Sequence, residues 1–175
     1  MDREAGRERR GIMVRNEWKS IYETYYKQLY LYSLSLVGNK HDAEDLLQET
    51  FVKAYLSYTN SGSIKYWLVT VLRNTYLNWQ KKRAKEVLDN GDQYLKKAVS
   101  PDDLLSDYIE KENRRRLFSE IQKLPVQMKT VLMESVYLQM SDEEIGRLHG
   151  LTKENVRKIR SRAKQRLISR MKEEA

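Results

Sequence analysis

The sequence contains no cysteine, two histidines, two prolines and seven glycines. Without cysteine there is neither a disulfide framework nor a thiolate-bound zinc site. His41 and His149 lie far apart in the chain, which leaves little for histidine-based catalysis or a metal site, so no cofactor and no metal are expected. No apolar run approaches the roughly 18 residues that a membrane span needs. The opening residues Met1 to Arg15 also lack the apolar segment of a secretion signal. Membrane insertion is therefore not expected, and a cytoplasmic location is. Sparse proline and glycine in a chain rich in Leu, Lys, Glu, Arg and Tyr predict an all-α fold.

What the chain has in excess is positive charge, 33 Lys and Arg against 25 Asp and Glu, for a net +8. Such a surplus suits a polyanionic partner, and it also suits plain solubility; the location of the charge decides between them. A length of 175 residues is enough for one ordinary domain or two small helical ones. Residues 1–13, with the charged run Asp2 to Arg10, read as a disordered extension, and Met13 is an alternative start.

Apolar residues recur at helical spacing in Trp18, Ile21, Tyr22, Tyr25, Leu29, Tyr32 and Leu36. Gly38-Asn39 closes that helix and opens another, whose stripe is Ala43, Leu46, Leu47, Thr50, Phe51 and Ala54. After the loop signal Asn60-Ser61-Gly62-Ser63, a third stripe runs through Ile64, Trp67, Leu68, Val71, Leu72, Thr75 and Trp79. Three such helices close a small bundle over 14–87. The polar stretch 88–102 lacks periodicity and reads as a flexible linker. A second bundle, 103–175, follows, with apolar Leu104, Leu105, Tyr108, Ile109, Leu117 and Ile121, a restart at Leu124-Pro125, and a stripe Met128, Val131, Leu132 and Ser135.

The last segment is the most informative. Ser141 and Glu144 have capping-box spacing, and Met140 and Ile145 fit a hydrophobic staple. Gly150 suits a left-handed stop, and Thr152 begins a long helix with Val156, Ile159, Ala163 and Leu167 inward. A short helix, a glycine turn and a longer helix make a helix-turn-helix. From Arg147 to Lys172 there are ten basic residues and one acid, Glu154. A merely solvated face usually mixes signs; ten against one is a phosphate-binding footprint. Lys153, Glu154, Asn155, Arg157 and Lys158 are placed to face base edges, with Arg162 and Arg166 toward phosphates.

In the second helix, Asp42 and Glu44 suit the positive end of the helix dipole. Asp45, Gln48, Glu49 and Val52 lie off the core stripe, on a strip that mixes acid, amide and apolar groups. The run Asp42-Ala43-Glu44-Asp45-Leu46-Leu47-Gln48-Glu49-Thr50-Phe51-Val52-Lys53-Ala54-Tyr55 closely resembles region 2 of the extracytoplasmic-function (ECF) sigma factors of bacterial RNA polymerase, within the sigma-70 family. Trp67-Leu68, Arg73-Asn74 and the basic run Lys81-Lys82-Arg83 continue the resemblance. Leu124-Pro125, Ser141 to Ile145 and Arg162 to Leu167 resemble region 4 in order and spacing. The departures are Asn78 for a frequent Asp, Gln139 for a frequent Gly, Gly146 for a frequent Ala, and Glu134-Ser135 for an apolar-Arg pair.

The resemblance implies two helical domains and a factor that brings core RNA polymerase to promoters and helps melt them, without catalysis of its own. Asp45, Gln48, Glu49 and Phe51 match the contact to the β′ clamp coiled coil, and the β flap is a second expected contact. Asn60, Ser61, Lys65, Arg73, Asn74, Lys81, Lys82 and Arg83 match the −10 reader, where extruded bases enter pockets and basic groups track the strand. The helix from Lys153 matches the −35 reader. An anti-sigma factor is a further possible partner. The alternative is a helix-turn-helix regulator that binds DNA without polymerase, against which the segment Asp42 to Tyr55 argues. An enzyme would need a catalytic constellation, and the sequence offers no histidine pair, glycine-rich phosphate loop or Glu-x-x-His motif.

Overall fold

The structure, a computed structural model, describes residues 2–58, 62–90 and 111–173, with side chains described over 15–58, 62–88 and 112–173. Asn60, Ser61, most of the expected linker (91–102) and Leu104, Leu105, Tyr108 and Ile109 lie outside the described residues. Within them there is no strand. The helices are α1 (Asp2–Val37), α2 (Lys40–Ser57), α3 (Ile64–Asn90), α4 (Lys111–Gln122), α5 (Val126–Leu132), α6 (Asp142–His149) and α7 (Lys153–Glu173). A π turn, Met133–Tyr137, continues α5.

The helix ends follow the local chemistry. Gly38 takes φ +79°, and Asn39 caps α2 by accepting from the Asp42 amide at 2.8 Å. Pro125, where the chain was expected to restart, is the N-cap of α5. Two boundaries differ from expectation. α1 runs from Asp2, so residues 2–13 continue a helix where a disordered extension was expected, and α3 runs through 88–90 to Asn90. Neither stretch holds a proline, and adding residues to an existing helix avoids the cost of nucleating a new one.

The three expected stripes meet in the N-terminal half. Leu29, Tyr32 and Leu36 of α1 pack with Ala43, Leu46, Leu47, Phe51 and Ala54 of α2 and with Leu68 and Leu72 of α3. Thr50 and Thr75 are buried there, and each hydroxyl is satisfied by the carbonyl four residues earlier. In the C-terminal half, Leu124, Leu132, Ala163 and Leu167 form a smaller cluster with Ile121 and Met128.

Periodicity does not reveal that the two halves share one core. Val131, Leu138, Met140, Ile145 and Val156 belong to the same cluster as the N-terminal bundle. Polar bonds also cross the seam. Gln122 donates to the Ser35 carbonyl at 2.8 Å, Lys65 to the Leu138 carbonyl at 2.7 Å, and Arg73 to the Leu148 carbonyl at 2.9 Å. At its centre Glu134, 0 % exposed, takes the Tyr32 hydroxyl on Oε1 at 2.5 Å and meets His149 Nε2 on Oε2 at 2.6 Å. Arg73 lies against His149 Nδ1 at 3.4 Å. A guanidinium only donates, so Nδ1 is the acceptor and Nε2 carries the proton given to Glu134. Burial, followed by the Glu134 carboxylate, pushes the Tyr32 hydroxyl well above its ordinary range and keeps it a donor.

Candidate nucleic-acid interface

The helix-turn-helix forms as its caps dictate. The Ser141 hydroxyl accepts from the Glu144 amide at 3.1 Å, and the Glu144 carboxylate accepts from the Ser141 amide at 2.9 Å. Both staple residues, Met140 and Ile145, are buried. Gly150 ends α6 at φ +66°, and the Thr152 hydroxyl accepts from the Asn155 amide at 3.2 Å. Gly146 has a packing reason: a Cβ there would lie 2.5 Å from the Leu151 carbonyl oxygen, so the turn closes tightly on α6. Gln139 sits at φ +53°, in the left-handed region that favours glycine.

α7 buries Val156, Ala163 and Leu167 and leaves Lys153, Glu154, Asn155, Arg157, Lys158, Arg162 and Arg166 exposed, as the stripe implies. All of these residues share one helix, and the acids of the first turn of α6 reach its basic side chains. Lys153 meets Glu143 at 3.3 Å, and Asp142 takes both Arg157 and Arg160. Arg162 and Arg166 line an open groove of about 580 Å³ with Met128, Gln165, Ser169, Arg170 and Glu173.

The residues expected at the −10 element are divided. Asn74, Lys81, Lys82 and Arg83 are exposed on α3. Arg83 pairs with Asp42 at 2.8 Å and lies 5.4 Å from the Trp79 ring centroid. Lys65 and Arg73 are half-buried and bound to carbonyls of the C-terminal half. Trp67 packs against the core, in keeping with its place on the stripe. Trp79 packs there too and donates from Nε1 to Glu49 at 2.7 Å.

On α2, Asp45 and Gln48 are exposed. Glu49 is partly engaged, bridging Trp79 and Lys53, the latter at 2.6 Å. Burial would raise its carboxyl, but the hydrogen bonds from Lys53 and Trp79 hold it below the usual range. Phe51 is a correction: at 8 % exposure it is core, packed on the Tyr22 ring, because it lies on the same helical stripe as Leu47 and Ala54. The side chains that do extend the strip are Val52, Tyr55 and Leu56, the last 77 % exposed. Val52 was legible as off-stripe; Tyr55 and Leu56 needed the fold, since an apolar residue in a sequence does not announce exposure. Asp142, Arg160, Glu134 and Tyr32 were likewise invisible as functional groups, because their partners lie on other helices.

Among the described residues no helix is long and apolar enough to cross a membrane, and no group of three potential metal ligands occurs. A helical bundle bearing a mixed polar and apolar strip, followed by a basic helix-turn-helix, is the architecture of a DNA-binding protein. Family comparison agrees half by half: residues 21–86 match Sigma-70 region 2, and residues 114–167 match Sigma-70, region 4. The ECF RNA polymerase sigma factor SigM of Bacillus subtilis (strain 168) is 31 % identical over 150 residues, 84 % of this chain and 90 % of SigM. The RNA polymerase sigma factor YlaC of the same organism is 29 % identical over 164 residues, 90 % and 93 % of the two chains. Among solved structures, the sigma factor RpoE of Bartonella quintana, in complex with the anti-sigma factor NepR, shares the fold at TM-score 0.77 and 23 % identity, covering 89 % of this chain and 97 % of RpoE. The chain belongs to the ECF sigma factors of RNA polymerase.

Proposed function

We propose that this sigma factor brings core RNA polymerase to its promoters through the α2 strip, reads the −10 element along α3 and the −35 element along α7, and catalyses no reaction itself. The observation that carries this reading is the exposed face of α7, whose charged residues are all basic except Glu154 and Glu173, on a well-capped helix-turn-helix, on the same chain as the Asp45–Gln48 strip. Asp45 and Gln48 supply polar contacts to the β′ clamp coiled coil, and Val52 and Leu56 add apolar area beside them. The cytoplasm, where core polymerase works, is the place such a protein serves. An anti-sigma partner, of the kind RpoE of Bartonella quintana is bound to, fits the same reading.

Two −10 residues impose an order of events. Lys65 and Arg73 are occupied by the C-terminal half in this arrangement, so a melted strand reaches them only after the halves part. Promoter-specific RNA synthesis on adding the chain to core polymerase tests the function. Asp45→Ala with Gln48→Ala is expected to weaken binding to core while circular dichroism stays unchanged; wild-type affinity in that folded double variant refutes the polymerase assignment.

A further inference from the structure

Arg157 projects from the early part of α7 with its side chain 63 % exposed, and its Nε donates to Asp142 Oδ2 at 2.9 Å. The other oxygen of the same carboxylate takes Nη1 of Arg160, which also donates to the Ser135 hydroxyl at 2.9 Å. The Asp142 side chain is only 17 % exposed. It is pinned from one side by Arg160 and the π turn, and it holds Arg157 from the other. A guanidinium has five N–H donors in a rigid fork. With Nε engaged, the four N–H groups of the two terminal nitrogens remain free, and the plane of the fork is set. Guanine in the major groove is read by two such parallel donors, on O6 and N7.

We propose that Asp142 is a positioning residue for duplex recognition: from the first helix of the helix-turn-helix it fixes the Arg157 fork so that the terminal nitrogens meet a guanine edge. The inference rests on the reading of Arg157 as a base-edge residue. Burial would raise the Asp142 carboxyl, yet hydrogen bonds from Arg157 and Arg160 hold it below the usual aspartate range, so it is ionised at neutral pH. A carboxylate in a basic face opposes phosphate binding. Its removal is therefore expected to move two observables in opposite directions, lowering base discrimination while raising affinity for DNA in general.

The test uses the full chain with core RNA polymerase, transcribing a promoter library randomised over the −35 element, alongside Arg157→Ala. Asp142→Ala is expected to cut discrimination at the base pair read by Arg157 by about three- to tenfold. The mean over the remaining sequences should hold or rise, and the double variant should discriminate no worse than Arg157→Ala. If Asp142→Ala does not fold, Asp142→Asn, which keeps the side-chain shape, is read in the same way. A uniform loss across the library marks a merely structural role and overturns the proposal. Wild-type discrimination in the Asp142 variants, with relaxed discrimination in Arg157→Ala, overturns the proposal and leaves the reading of Arg157 standing. Unchanged discrimination in both removes that reading and the proposal together.

Discussion

Glu134→Ala is expected to cost about 3–5 kcal/mol of folding stability, because it strands two buried donors at once. The parts add to the same size. The variant leaves the Tyr32 hydroxyl and the His149 Nε2–H buried with no acceptor, at about 1–3 kcal/mol apiece. The missing methylene adds about 0.8 kcal/mol. Relief from holding a carboxylate at 0 % exposure offsets part of this. A chain of this length loses about 2–4 °C in Tm per kcal/mol, so the melt should fall by roughly 6–20 °C. Urea unfolding followed by circular dichroism gives the free energy. Tyr32→Phe should cost about 1.5–3 kcal/mol, as a bond to a charged group does. In the double variant Tyr32→Phe with Glu134→Ala the two losses should fall short of additivity by about 1 kcal/mol or more, the size of coupling within a shared network. Replacing Tyr32, Glu134 and His149 together by apolar residues of like volume should restore much of the loss, since the two buried donors then go together with their acceptor. A loss below about 1 kcal/mol in Glu134→Ala, or strict additivity with Tyr32→Phe, would refute the claim that this cluster binds the two halves together.

Other perturbations test separate parts of the structure. If the seam covers Lys65 and Arg73, folded Glu134→Gln should bind a single-stranded −10 oligonucleotide more tightly than the parent by fluorescence anisotropy; equal or weaker binding counts against occlusion. Gln139→Gly should stabilise the fold by about 0.5–1 kcal/mol, because φ +53° strains a residue with a Cβ and not glycine; a destabilised melt would show the left-handed conformation to be unstrained. The folded-state pKa of Asp142 is depressed, so its contribution to stability is present above the ordinary aspartate range near pH 4 and is lost as the pH falls through its own lower value. Asp142→Asn should accordingly flatten the acid limb of the stability curve below about pH 4, and an unchanged limb would show that the ion pairs with Arg157 and Arg160 contribute nothing.

The sequence by itself determined whatever depends on near neighbours along the chain. Helix stripes, the Asn39 cap, the Ser141–Glu144 capping box and the left-handed Gly150 are set within four residues of one another, and that is the range over which side chains and backbone interact on a single helix. The basic face of α7 was legible for the same reason, since burial of Val156, Ala163 and Leu167 fixes which side the arginines occupy. The same rule placed Phe51 in the core stripe even where the family resemblance drew it to a partner surface. Tertiary structure decided what joins distant segments. Glu134 in the sequence is an odd acid in a mostly apolar stretch. It becomes the centre of the seam only because Tyr32, 102 residues away, and His149, 15 residues away, converge on it. Lys65 and Arg73 read equally well as strand-binding groups until the C-terminal half presents carbonyl oxygens to them. Asp142 is a helix-start acid by sequence, and only the crossing of α6 and α7 turns it toward Arg157 and Arg160. A buried polar group needs a partner of the right geometry, and no local pattern along the chain specifies which distant residue supplies it.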